Sequence, residues 1–376
     1  MRKNRSDGRM TEDRPDRSRR KRNRKINSIF VMFGCLLALV LVTYLAGVLY
    51  MWIDAEFQNN ANDIAEAVAV SEQEEQTTYT QEELDAAVAE AREEASRSGQ
   101  EQILAGIKAG LTAGESTVKT LRPYYPDEMV VVSNGAFHFV PINRELKLND
   151  YTEESLNILE TGELQYLENG QVVSRKGIDV SKHQGEIDWQ QVAADGVEYA
   201  FIRVGLRGYG TGKLVEDEYF EQNITGALGA GIKVGVYFYS QAVNETELLE
   251  EANFVLEKIA PYRVECPVVY DVEKVSGAEG RMNSLTVEER TNLTLLFCQT
   301  IENAGYKPMI YHNMEMGALM LDLSALEEYD KWFAYYNQDF YYPYQYEIWQ
   351  YTDSGTVNGI EGPVDLNISF GPLWEE

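Results

Sequence analysis

Two acids end one short apolar run, Pro267-Val268-Val269-Tyr270-Asp271-Val272-Glu273. Three of its positions are β-branched, which favours a strand. Side chains alternate along a strand, so Val269, Asp271 and Glu273 share one face and Val268, Tyr270 and Val272 the other. Two strand rises put the Cα atoms of the acids roughly 6.6 Å apart. Two carboxyls on one face at the end of a buried strand are costly unless they bind or react with something. Such a pair suits the flanks of a glycosidic bond, with one acid protonated and the other ionised. On a solvated strand end the same spacing would be unremarkable, so the surroundings decide.

Those surroundings have a strand–helix rhythm from Lys176 onward. Stretches 177–180, 199–204, 233–239, 267–272 and 309–311 read as strands. Helical stretches near 188–195, 216–230, 245–260, 287–304 and 314–323 follow them in turn. Asn244-x-x-Glu247 and Thr286-x-x-Glu289 are capping boxes, and Gly231 and Gly305 sit where C-terminal caps belong. Three further strands, 332–336, 347–351 and 364–368, come without helices. The expected fold is an α/β, irregular TIM-like (β/α)5(β)3 barrel over 176–376, with reactive groups at the C-terminal strand ends. Asp179, Asp271, Glu273 and Asp365 lie at or near strand ends. Tyr237, Tyr239, Tyr311, Trp332, Tyr336, Trp349 and Gln350 accompany them, and aromatic faces with amides are what a sugar-binding cleft needs.

The motifs are recognisable as a set. Gly177-Ile178-Asp179-Val180-Ser181-Lys182-His183-Gln184-Gly185 with Ile187-Asp188-Trp189 resembles the opening of the glycoside hydrolase family 25 lysozymes, the N-acetylmuramidases. The resemblance continues through Ala200-Phe201-Ile202-Arg203, Ala230–Tyr237, Asp271-Val272-Glu273, Ile310–Asn313, Lys331–Tyr336, Trp349–Thr352 and Val364–Asn367. It implies a barrel of five βα units and three terminal strands. It also implies cleavage of the β-1,4 bond between N-acetylmuramic acid and N-acetylglucosamine in peptidoglycan. By motif position Glu273 resembles the general acid. Asp271 resembles its partner, either orienting the N-acetyl group or stabilising developing positive charge. Asp179 and Asp365 resemble supporting acids that keep Glu273 protonated by repulsion. Where the family often has His-Phe after Tyr237, this chain has Phe238-Tyr239. His183 and His312 are expected at the rim or in the structure, not in the chemistry. A wall-binding or scaffolding protein that keeps the groove without the reaction is the alternative from another class.

The formal charge is −28 over 376 residues. Residues 1–25 hold twelve Lys/Arg against four Asp/Glu, a net +8 that leaves −36 on the remainder. An acidic body offers no surface to replace counterions on phosphates, which argues against nucleic acid as a partner. Residues 26–53 carry no charge, and Ile29–Trp52 is long enough for one membrane-spanning helix. Basic residues before it and acids after it place the N-terminus in the cytoplasm and the body outside. Residues 54–120 read as an acidic helical stalk, with a capping box at Thr80-x-x-Glu83, a helix to about Ser96 and a second short one over 103–111. Residues 121–175 read as a small β-rich module or linker, with turns at Ser133-Asn134-Gly135 and Asn169-Gly170 and no chemistry of its own. The three cysteines have no metal-binding spacing, and Cys266 and Cys298 are expected as buried free thiols. No metal or cofactor is expected.

Overall fold

The computed structural model describes residues 47–49, 51, 79–275 and 280–374. Two compact units divide the chain, Met1–Arg97 and Ser98–Glu376. The basic tail 1–25, the charge-free run 26–53 apart from residues 47–49 and 51, and the stalk segment 54–78 lie outside the described residues. Among the described residues, no helix is long and apolar enough to cross a membrane.

The Thr80 capping box forms as expected: the Thr80 N–H donates to Glu83 at 2.7 Å and the Glu83 N–H to Thr80 Oγ1 at 3.2 Å. It opens one helix, α1 (Gln81–Thr112), where two were expected. A lone Gly99 costs only about 1 kcal/mol against Ala, too little to interrupt a run of Ala, Glu, Gln and Arg. None of its residues is buried.

In the second unit a short helix α2 (Thr117–Leu121) precedes the hairpin of β1 (Glu128–Ser133) and β2 (Ala136–Pro141). Its two-residue turn needs positive φ twice, and Asn134 (51°) and Gly135 (76°) supply it. Strands β3 (Leu156–Ile158), β4 (Leu164–Glu168) and β5 (Gln171–Val172) form a second small sheet. Neither sheet has a core of its own. Met129, Val131 and Leu164 are buried in the same apolar cluster as the outer face of the barrel.

The barrel runs β6 (Arg175–Val180), α3 (Trp189–Ala194), β7 (Tyr199–Arg207), β8 (Leu214–Glu216), α4 (Phe220–Gly229), β9 (Lys233–Tyr239), α5 (Glu245–Ile259) and β10 (Val268–Asp271). It continues with α6 (Val287–Asn303), β11 (Pro308–Asn313), β12 (Asp330–Ala334), β13 (Ile348–Gly355) and β14 (Val364–Ser369). Eight of these strands close into a ring through the β6–β7 and β14–β6 pairings, and β8 is an antiparallel addition to β7. The fifth helical stretch is only a π-helical turn at Met316–Met320. Strand β14 is antiparallel to both neighbours. Asp365, expected near a strand end, sits at the start of β14, and the antiparallel pairing brings it opposite Asp179.

Alternation sorts the residues of each strand. Val268, Tyr270 and Val272 face the helices, while Val269 joins Tyr199, Phe201, Met309, Trp332 and Ile348 inside the ring. Two glycines make room for these rings. A Cβ on Gly177 would lie 2.1 Å from the Tyr199 ring, and one on Gly235 2.3 Å from Phe201. Cys266 and Cys298 are buried free thiols, as expected.

Candidate active site

Strand register assembles the site level by level. Tyr239, Asp271, Tyr311 and Trp332 are direct neighbours across β9, β10, β11 and β12. On the other side of the ring Gln350 pairs with Asn367, and Asp365 with Asp179. All of these but Asn367, together with Glu273 just past the end of β10, line a cleft of about 320 Å³ at the mouth of the barrel. All four expected acids are brought together there, along with Tyr237, Tyr239, Tyr311, Trp332, Tyr336 and Gln350.

Trp349 is not among them. It is fully buried on the helix-facing side of β13, where its indole Nε1 donates to the Tyr335 carbonyl at 2.7 Å. Consecutive strand residues face opposite ways, so once Gln350 points inward Trp349 cannot. Trp332 belongs to the cleft as its floor rather than as an open platform. It is stacked on Phe201 at 4.7 Å and met edge-on by Tyr311 at 4.8 Å. His183 stands at the rim, and His312 is buried outside the ring with burial holding its pKa down to about 4. Phe238 faces the outer core and leaves Tyr237 and Tyr239 to the cleft.

A hydrogen-bonded chain fixes the side of the cleft around Asp179. Trp332 Nε1 donates to Asn367 Oδ1 at 2.8 Å. An indole can only donate, so the Asn367 amide must turn its NH2 the other way, to Asp179 Oδ2 at 2.8 Å. Tyr311 and Tyr336 both donate to Gln350 Oε1 at 2.8 Å, which likewise turns the Gln350 NH2 to Asp179 at 2.9 Å. Two amide donors thus converge on one carboxyl oxygen. They only partly offset its burial, which pushes Asp179 up to about 6.

The remaining acids are also raised. Burial and then the charge of Asp179 push Asp365 up to about 8. Asp271 is held well above the usual range by burial first and by Glu273 second, with Arg203 as a partial counterweight. Glu273 is raised by burial and by the charge of Asp179, while its hydrogen bond with Asp271 opposes this. The two carboxyls are hydrogen-bonded to each other, and like charges in contact oppose simultaneous ionisation. Asp271 Oδ1 is buried with no protein partner.

Four contributors are absent from the residues expected at the site. Arg203 follows Tyr199 and Phe201 on the inward face of β7, and its Nε donates to Asp217 at 2.7 Å. The signal was the alternation of that strand. Asn367 shares the inward face of β14 with Asp365, again at a spacing of two. Ser181 and Gln184 close a capping box at the end of β6 and line the rim.

The pattern described as glycosyl hydrolases family 25 matches residues 178–360. The protein YegX of Escherichia coli K12, itself described as uncharacterized, is 31% identical over 212 residues, which are 53% of this chain and 71% of YegX. The chain belongs to glycosyl hydrolases family 25. An autolytic lysozyme of Clostridium acetobutylicum is 28% identical over 197 residues, covering 51% of this chain and 55% of that protein. Among solved structures, the modular autolysin LytC of Streptococcus pneumoniae, in complex with a synthetic peptidoglycan ligand, aligns with TM-score 0.47 at 26% identity. That alignment covers 57% of this chain and 52% of LytC. The chain thus spans little more than half of either lysin. The family 25 match begins at β6, so α1, α2 and the sheets of β1–β5 lie outside it.

Proposed function

We propose that this family 25 protein is a peptidoglycan hydrolase that cleaves the β-1,4 bond between N-acetylmuramic acid and N-acetylglucosamine. The observation that carries the reading is the pair Asp271 and Glu273, two hydrogen-bonded carboxyls both raised by burial, in a cleft lined by tyrosines and amides. In the proposed reaction Glu273 gives its proton to the glycosidic oxygen as the bond from the anomeric carbon breaks. Water then adds to that carbon and its proton returns to the carboxylate, so the acid is regenerated. The unpartnered Oδ1 of Asp271 is an acceptor for the amide N–H of an acetamido group, and its carboxyl stands ready for the developing positive charge. Tyr336, exposed at the rim, offers a ring face to a pyranose. The autolytic and lysozyme descriptions of the relatives support the substrate class. We further place the barrel outside the cell, anchored by residues 26–53.

The test is release of N-acetylmuramic acid reducing ends from purified peptidoglycan by the full chain beside Glu273→Gln. Loss of a general acid should slow release by about 10²–10⁴-fold while leaving glycan binding intact. Equal rates in the two proteins would remove Glu273 from its role. A chain that binds the glycan but releases no ends would instead be a wall-binding module.

A further inference from the structure

The catalytic cleft does not stop at the barrel. A second groove of about 630 Å³ continues from it and shares Glu273, Tyr311 and Tyr336 with it. Its far wall is built by α2 and β1, which lie outside the family 25 match. Val130, Val131 and Val132 all border the groove, but only Val132 is exposed, while Met129 and Val131 pack into the core. This wall is fixed in place at two points. Arg122 makes a two-pronged ion pair with Asp339 beyond β12. Lys274, the residue after Glu273, donates to Asn134 Oδ1 at 2.8 Å in the hairpin turn and pairs with Glu315.

We propose that this groove is an additional saccharide subsite, in which the β1–β2 hairpin holds sugars of the glycan strand beyond those at the bond being cut. The inference rests on the hydrolase reading and names a substrate-binding element for it. Three observations favour a saccharide. The groove is continuous with the cleft at three residues, so one strand can occupy both. Two of its charged residues are held in ion pairs with neighbours, Arg122 with Asp339 and Glu315 with Lys274. Tyr336, Asn337 and Val132 expose tyrosine, amide and valine surface, suited to pyranose faces and hydroxyls. The volume lies within the roughly 300–1,000 Å³ that encloses ligands of several rings.

The test uses the full chain carrying Glu273→Gln and alternating N-acetylglucosamine–N-acetylmuramic acid oligomers of two to eight sugars, titrated by calorimetry. The dissociation constant should fall at least tenfold between four and eight sugars. Adding Val132→Trp, which fills the groove from an exposed position, should abolish that gain and leave four-sugar binding unchanged. Asn337→Ala on the opposite wall should reduce the gain without adding bulk. Affinity that is flat from four to eight sugars, or a gain that survives Val132→Trp, overturns the subsite whether or not the parent protein cleaves glycan. A gain lost with Val132→Trp, together with no reducing ends from the parent protein, upholds the subsite and defeats the hydrolase reading instead.

Discussion

Asp365 and Asp179 face each other across the β6–β14 ladder, and the fold holds Asp365 neutral at a pH where a free aspartate is charged. The linkage to stability has a definite sign. A carboxyl raised from its ordinary 3.8 to about 8 binds its proton more tightly in the folded chain, so its contribution is intact below pH 4. It is lost as pH climbs through about 8. Asp365→Asn stays neutral throughout, so thermal unfolding should show no gain at pH 4 and a Tm raised by about 2–4 °C at pH 9, equivalent to about 1 kcal/mol in a domain of this size. The same Tm difference at both values would mean that Asp365 is not held protonated. The amide pair Gln350 and Asn367 shows what a sequence conceals at this scale. Both lie in recognisable stretches, yet their donors converge on Asp179 only because Trp332, Tyr311 and Tyr336 orient the amides, and that requires the closed ring.

At the scale of elements, local chemistry carried the reading far. Capping at Thr80 and Thr286, the positive-φ turns at Asn134-Gly135 and Asn169-Gly170, and the alternation in β10 are all dictated by residues within a few positions of each other. Asn244 caps α5 as expected, though Glu247 reaches back to the N–H of Val243 rather than Asn244. Trp349 and Gln350 are consecutive on β13, so the strand period admits only one of them to the cleft, and Gln350 takes that place. The small module was read as chemically idle because its ties to the barrel, such as Arg122 to Asp339, join residues 217 positions apart. No local pattern signals a contact of that separation. Packing inside the ring is equally non-local and equally strict. Gly235→Ala would drive a methyl to within 2.3 Å of Phe201 and 2.8 Å of the Pro267 carbonyl. Overpacking of this kind costs about 1–3 kcal/mol, to be read as a lower urea midpoint at unchanged m-value. An unshifted midpoint would show that β9 and Phe201 move apart freely.

At the scale of the whole chain, a +8 tail, a charge-free run over 26–53 and a strongly acidic remainder follow one another. That sequence predicts that the full chain sediments with membranes and resists extraction by high salt and alkaline carbonate. A chain lacking residues 1–53 should stay in the supernatant. Release of the full chain by salt alone would replace the proposed span with a peripheral attachment. Anchoring would limit hydrolysis to wall within reach of the stalk, which suits local remodelling better than bulk lysis.

The placement of β14 bears on when the protein can become dangerous to the cell that makes it. This strand completes the ring, carries Asp365 and Asn367, and is the final barrel strand to be synthesised. Until it inserts between β13 and β6, Asp179 lacks one of its two amide donors and the mouth of the barrel lacks a wall. A chain still lacking β14 has therefore no complete cleft. Completion of the cleft is thus deferred to the closing step of folding.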